Sequence, residues 1–327
     1  MTQTYDTIGL EKRRSMAVTG ESGNGKTVLM QWLSTQMGYN DGTAIVAHDL
    51  DEDYQYLLDL LGLDVVRLRV EDIDAIWNMF MDVKKERRYT EIASAIMGKR
   101  DPKNPFFGPA TDVLKATLLY LHRKGVSDNT YMDHADLRRM LNLPIEDLHD
   151  TLDTGDLKAD AAHIDPSTSK SVKNTYQTLR ERALKVLVGD FARAGAFSLR
   201  EYFDSPDGRA LVIDSDPVEI DTLAPMFCLI LDMSIRFAMD SDTPANLILD
   251  EVDALQQPIP KLGMLTSKGR SRGARCLIGI QTIGQLIDTY GEKGAKSKIL
   301  GNCPQGFISA PETLKPANSS NLRLVRD

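Results

Sequence analysis

Short apolar runs punctuate both ends of the sequence. Met16-Ala17-Val18, Ala44 to His48 and Val65 to Leu68 occupy the first part, and Ala210 to Ile213, Leu247 to Leu249 and Cys276 to Ile280 the last. These are strand-length segments, and Phe307-Ile308 offers one more. Stretches of helical composition lie between them: Val28 to Gln36, Tyr54 to Leu61 stopped by Gly62, Leu223 to Met239, and a segment reaching about Arg272. Strand and helix in alternation predict a mostly parallel sheet with covering helices.

The middle of the chain has a different texture. From Ile73 to about Asp190 it reads as helical, with turn signals at Asp101-Pro102, Gly108-Pro109, Asn142-Leu143-Pro144 and Asp165-Pro166. Thr130 precedes a stretch in which Leu137, Met140 and Leu141 share one helical face. Ser171 to Val188 does the same with Val172, Tyr176, Leu179 and Ala183. The expected fold class is therefore α/β interrupted by an all-α insertion. Residues 1–78 and 191–327 are assigned to the α/β domain and 79–190 to the inserted helical domain.

Composition narrows the class. With 42% hydrophobic and 26% charged residues in 327, the chain has a soluble globular balance and can bury a core. There is no run of 18 or more apolar residues. The nearest, Leu223 to Met239, is broken by Asp232 and Arg236 and reads as a buried helix. No signal peptide is visible, so the expected location is cytoplasmic, or membrane-associated if a native N-terminal segment was removed. Cys228, Cys276 and Cys303 lack metal spacing and read as buried free thiols. The five histidines are scattered, which argues against zinc chemistry. The net charge of −8 is concentrated: Val126 to Asp165 holds ten acidic residues against three basic ones. That leaves the rest near neutral and able to carry basic patches.

The chemistry begins at Gly20-Glu21-Ser22-Gly23-Asn24-Gly25-Lys26-Thr27, which fits the phosphate-binding loop pattern at every fixed position. The glycines free the turns that aim backbone N–H groups at a polyphosphate. Lys26 is expected to reach the β- and γ-phosphates and Thr27 to ligate Mg²⁺. A second element follows at Asn246-Leu247-Ile248-Leu249-Asp250-Glu251, a buried strand opening into two carboxylates. Asp250 is expected to hold the Mg²⁺ through water, and Glu251 to polarise the water that attacks ATP. Gln281 ends the next apolar strand, where its amide could sense the γ-phosphate or orient that water. The basic run Lys268 to Arg275 has three readings: a solvated turn, an arginine finger for a neighbouring subunit, or a contact to nucleic-acid phosphates.

These residues also carry a family resemblance. Leu249-Asp250-Glu251, Thr266-Ser267-Lys268-Gly269-Arg270, Gly279 to Leu286, Tyr290-Gly291-Glu292-Lys293 and Asn302-Cys303 resemble the coupling-protein ATPases of conjugation and type IV secretion, the TraD/TrwB group. Ile76-Trp77-Asn78, Asn104 to Phe107, Phe197 to Tyr202 and Leu223-Ala224-Pro225 are similar to the same family. The resemblance implies a RecA-like nucleotide domain carrying an all-α domain. It also implies hexameric rings with ATP between subunits, and DNA pumped toward a secretion channel with relaxase or other DNA-processing partners. By position, Lys26, Thr27, Asp250, Glu251 and Gln281 take the roles argued above, and Arg270 becomes the finger acting in trans.

Members of that group usually begin with membrane helices, whereas fifteen residues precede the first strand here, and the chain stops at Asp327 in a polar tail. The expectation is a coupling protein without its membrane segment and C-terminal end. Two other readings stand beside it. A soluble motor of the FtsK/HerA kind, for packaging, segregation or defence, suits the missing segment but not the Gln281-to-Lys293 block. A nucleotide-dependent adaptor would use the acidic helical region to recruit a basic partner, although an acidic face kept for solubility explains the same residues.

Overall fold

The computed structural model describes residues 15–308 apart from 22, 24, 40, 41, 51, 71–74, 169, 170, 216 and 304, with side chains described as far as 303. Seven strands form one sheet: β1 (Met16–Gly20), β2 (Ala44–Asp49), β3 (Asp64–Leu68), β4 (Arg209–Asp214), β5 (Ala245–Leu249), β6 (Ala274–Ile280) and β7 (Gln305–Ile308). Their order is β3-β4-β2-β5-β6-β1-β7. The pairings of β1 with β6 and β7, of β2 with β4 and β5, and of β5 with β6 are all parallel. Every strand expected from the apolar runs is present, and the class is α/β with a RecA-like parallel sheet.

The strands are apolar because both faces are covered. All residues of β2 and β5 are buried, as are those of β6 apart from half-buried Arg275. Met30 and Leu33 of the helix Lys26–Thr35 pack in one core with Val18, Ile45, Ala47, Ile248 and Leu277. Several polar side chains inside this unit satisfy buried backbone groups. Asn246 donates to the Met37 carbonyl at 3.0 Å and accepts from Arg275 Nε at 2.8 Å, so Arg275 is a structural cation. Tyr202, 1% exposed, lies against the backbone of Ile45: its hydroxyl accepts from the Ile45 N–H at 2.9 Å and donates to the Ile45 carbonyl at 2.5 Å. The helix Ile220–Asp240 carries Pro225 inside it, and Asp232 pairs with Arg236 one turn on at 3.8 Å. Among the described residues it is the one helix long and apolar enough to cross a membrane, and 83% of its apolar window is buried inside the protein. The three cysteines are buried thiols.

Contacts divide the chain into two compact units. One comprises Met1–Arg67, Arg200–Asp221 and Leu231–Asp327, and holds the sheet; the other comprises Leu68–Leu199 and Thr222–Ile230. The second unit is built from helices that include Arg88–Met97, Phe107–Ser127, His134–Leu141, Ile145–Leu152 and Val172–Val186. Val172, Leu179 and Ala183 are buried as their spacing predicts, while Tyr176 is half-buried and donates its hydroxyl to the Leu143 carbonyl. The chain enters and leaves the unit side by side: Phe197 N–H donates to the Ile76 carbonyl and Asn78 N–H to the Phe197 carbonyl, both at 2.9 Å. Buried Asp82 ties these two segments of the unit together, accepting from Trp77 Nε1 at 2.7 Å, Ser198 Oγ at 2.7 Å and Leu199 N at 3.2 Å.

Much of the acidic stretch is engaged locally. Asp156 and Glu86 both bind Arg123, Asp160 pairs with Lys115 at 2.7 Å, and Asp153 with Lys158 at 3.2 Å. Asp133 and Asp136 form a capping box at the start of His134–Leu141, a device that satisfies the first orphan N–H groups of a helix.

Tyr202→Phe preserves the ring packing while leaving the Ile45 N–H without its acceptor. Chemical denaturation is expected to show a loss of about 1–3 kcal/mol, the cost of a buried unsatisfied group. An unchanged stability would contradict this assignment.

Candidate functional site

The strand order brings the chemistry together. β6 lies between β1 and β5, so in a parallel sheet their carboxyl ends emerge side by side. Gly20 closes β1, Asp250 follows β5 and Gln281 follows β6. The carboxyl edge of such a sheet is where α/β proteins place their ligands.

Beyond Gly20 the loop turns through Gly23 and Gly25, which have φ of +80° and +83°. A Cβ at either position would meet nothing within 4 Å, so glycine is required by the left-handed backbone rather than by space. Gly25 caps the helix Lys26–Thr35 without a side-chain hydrogen bond, and the first turn carries no acidic residue. The free N–H groups and the positive end of the helix dipole therefore face the loop. Glu21 is exposed; Ser22 and Asn24 lie outside the described residues.

Lys26, 5% exposed, sits between two carboxylates, 3.0 Å from Glu251 Oε1 and 3.3 Å from Asp250 Oδ1. Burial pulls the pKa of its ammonium down, but attraction to Asp250 and Glu251 outweighs that and holds it above the usual lysine value. Asp250 is saturated with donors: Oδ1 also accepts from Glu251 N at 2.9 Å, and Oδ2 accepts from Thr27 Oγ1 at 3.3 Å and Tyr54 OH at 3.1 Å. Glu251 has φ of +50°, an unusual conformation for a side chain with a Cβ, and keeps its carboxylate turned toward Lys26 and Gln281. Gln281 Nε2 lies 3.5 Å from Glu251 Oε1, at the limit of a hydrogen bond, and its own N–H donates to Asp253 Oδ2 at 2.8 Å.

Several neighbours escaped the sequence reading. His48 Nδ1 is 2.7 Å from the Asp250 carbonyl. A carbonyl only accepts, so Nδ1 carries the hydrogen, and Nε2 accepts from Ser215 Oγ at 3.2 Å. Complete burial lowers the His48 pKa and keeps the ring neutral. Tyr54 is held in turn by Asp49, whose carboxylate accepts the N–H groups of Asp53 and Tyr54 at 3.0 Å each. Burial raises the pKa of Asp49 to about 6. Gly279, inside β6, is the least conspicuous: a Cβ there would stand 2.0 Å from Asp250 Oδ1 and 2.5 Å from Met30 Sδ. The only signal in the sequence was a glycine interrupting an apolar strand, which marks a close approach.

Lys26, Thr27, Asp250, Glu251 and Gln281 thus form one cluster. Arg270 is not part of it. It is exposed in the short turn Gly269–Arg272 that precedes β6, and β6 rises ~20 Å before reaching Gln281.

The family model described as the type IV secretion-system coupling protein DNA-binding domain matches residues 7–324. A comparison with curated proteins returned no match. Among solved structures, the chain is similar to the bacterial conjugative coupling protein TrwB in its unbound form, with 21% identity, 93% of this chain and 72% of that one covered, and a TM-score of 0.74. The plasmid coupling protein TrwB in complex with ADP and Mg²⁺ is 21% identical over 92% of this chain and 71% of its own, with a TM-score of 0.69. VirB4 of Thermoanaerobacter pseudethanolicus is more distant, at 14% identity, 91% and 78% coverage and a TM-score of 0.54. At these identities the structural likeness establishes the fold.

Gly279→Ala adds one methyl group where Asp250 must lie. We expect it to destabilise the protein by about 1–3 kcal/mol, as overpacking does, and to weaken nucleotide binding as well. A thermal melt with and without MgATP checks both, and a wild-type melt with a full nucleotide shift would contradict the packing described.

Proposed function

The chain belongs to the family of type IV secretion-system coupling protein DNA-binding domains, and we propose that it is an ATP-hydrolysing motor that moves DNA as an oligomeric ring. The observation that carries the reading is the convergence of Lys26, Thr27, Asp250, Glu251 and Gln281 at the ends of β1, β5 and β6. A hexamer, with relaxase or other DNA-processing partners and a secretion channel, is the arrangement the family suggests.

The loop N–H groups, the helix start and Lys26 bind the β- and γ-phosphates. Thr27 and Asp250 offer oxygen donors 3.3 Å apart. Two such ligands suit Mg²⁺, which takes most of its remaining oxygens from phosphate and water. Among the described residues no group of three or more His, Cys, Asp or Glu is placed to hold a metal by itself. TrwB has been solved with ADP and Mg²⁺, which supports a nucleotide and Mg²⁺ as the cofactors of this chain. When bound, the ion neutralises charge on the phosphate oxygens. As Lys26 turns to phosphate it releases Glu251, which then accepts a proton from the attacking water as the water oxygen bonds to the γ-phosphorus and the bond from that phosphorus to ADP breaks, while the Gln281 amide orients the water. Binding and unmasking of the base are thereby one exchange of partners.

Arg270 lies at the opposite end of β6 and serves the phosphate of a neighbouring subunit. A polyanionic partner suits the same edge. Lys268, Arg270 and Arg272 are exposed there, and the Thr266 hydroxyl, donating to the Lys298 carbonyl at 2.7 Å, brings a further exposed cation alongside.

ATP turnover measured with single- and double-stranded DNA at low and high salt tests the reading. DNA should stimulate turnover at low salt and lose its effect as salt rises, and Glu251→Gln should reduce turnover by about 10²-fold or more. Turnover indifferent to DNA at low salt, or to the loss of Glu251, would overturn it.

A further inference from the structure

Asp253 binds no phosphate and activates no water in the proposed function, yet it is 5% exposed and joins the two halves of the site. β5 ends at Leu249 and the chain turns away through Glu251, while β6 continues to Ile280. A strand that outruns its neighbour leaves backbone N–H groups unpaired. Two bonds repair the mismatch here. Val252 N–H donates to the Gly279 carbonyl at 3.3 Å, and the Asp253 carboxylate accepts the Gln281 N–H at 2.8 Å, as the next backbone carbonyl would have done.

The second oxygen of that carboxylate, Oδ1, is buried and has no hydrogen-bond partner among the described residues. A half-satisfied buried carboxylate is an expensive way to cap one N–H, since burial penalises the charged form. Stability alone therefore gives no reason for an acid at this position. Geometry does. The turn residues Val252 and Asp253 directly follow Glu251, and the two bonds attach to β6 on either side of Ile280, so Glu251 and Gln281 cannot shift independently. Glu251 Oε1 and Gln281 Nε2 are 3.5 Å apart across this join.

We propose that Asp253 is a positioning residue for Gln281, holding the sensor amide at a fixed distance from the carboxylate of Glu251 through the Gln281 backbone. It touches no reacting atom. The inference rests on the hydrolytic reading of Glu251 and Gln281 given above. Its consequence is specific: loss of the acceptor loosens the orientation of the attacking water and leaves phosphate binding by Lys26 and the loop intact.

The test compares Asp253→Ala and Asp253→Asn in the full chain, with the wild type and Glu251→Gln as references. The amide of Asp253→Asn keeps an oxygen for the Gln281 N–H. Asp253→Ala should lower kcat by about 10- to 100-fold, the scale on which a misplacement of about 1 Å acts, with the MgATP Kd within about threefold of wild type. Asp253→Asn should recover most of the kcat. If the alanine variant does not fold, Asp253→Leu replaces it, since it keeps bulk without an acceptor. An unchanged kcat in the folded alanine or leucine variant would overturn the inference, as would a kcat lost equally in Asp253→Asn or a Kd weakened in step with kcat. Wild-type turnover that Glu251→Gln leaves intact would instead overturn the hydrolytic reading, and this inference with it.

Discussion

The ammonium of Lys26 between the carboxylates of Asp250 and Glu251 is the interaction on which the rest of the site depends. Buried Lys26 keeps its proton because attraction to Asp250 and Glu251 outweighs the cost of burying its charge. The triad also explains why so many donors surround Asp250: Thr27, Tyr54 and the Glu251 N–H hold its oxygens, while His48 fixes the carbonyl behind it. In the proposed function this lysine exchanges carboxylate for phosphate, with the charge already in place.

β6 connects this cluster with the opposite edge of the sheet. One end carries Gly279, whose missing Cβ makes room for Asp250, and then Gln281 beside Glu251. The other end is preceded by Arg270, exposed and ~20 Å distant along the strand. On our reading the same strand senses the state of its own nucleotide and presents a cation to the next one. A rigid parallel strand, buried and paired on both sides, is well suited to carry such a displacement without bending.

The sequence made the local parts of this arrangement legible and hid the non-local ones. The apolar runs marked every strand because parallel strands covered on both faces cannot alternate. The phosphate loop and Asp250-Glu251 were readable because each is contiguous and has fixed chemistry. The placement of β6 between β1 and β5 was not, since nothing local encodes strand order. With it went the importance of Gly279, the bond from Asp253 to Gln281, and the approach of Tyr54 and His48 to Asp250, all contacts between residues far apart in the chain. The acidic stretch shows the opposite limit: its charge was plain, but its engagement by Arg123, Lys115 and Lys158 depends on how the helices pack.

In the proposed motor the cluster around Lys26 is half a site, completed by Arg270 of a neighbour. Mixing Arg270→Ala subunits with Glu251→Gln subunits tests it most directly. Each is expected to be inactive alone, and mixed assemblies should regain part of the wild-type ATP turnover, because intact Glu251 then meets intact Arg270 across some interfaces. No recovery, with mixed assemblies confirmed, would exclude Arg270 as the group that completes a neighbour's site.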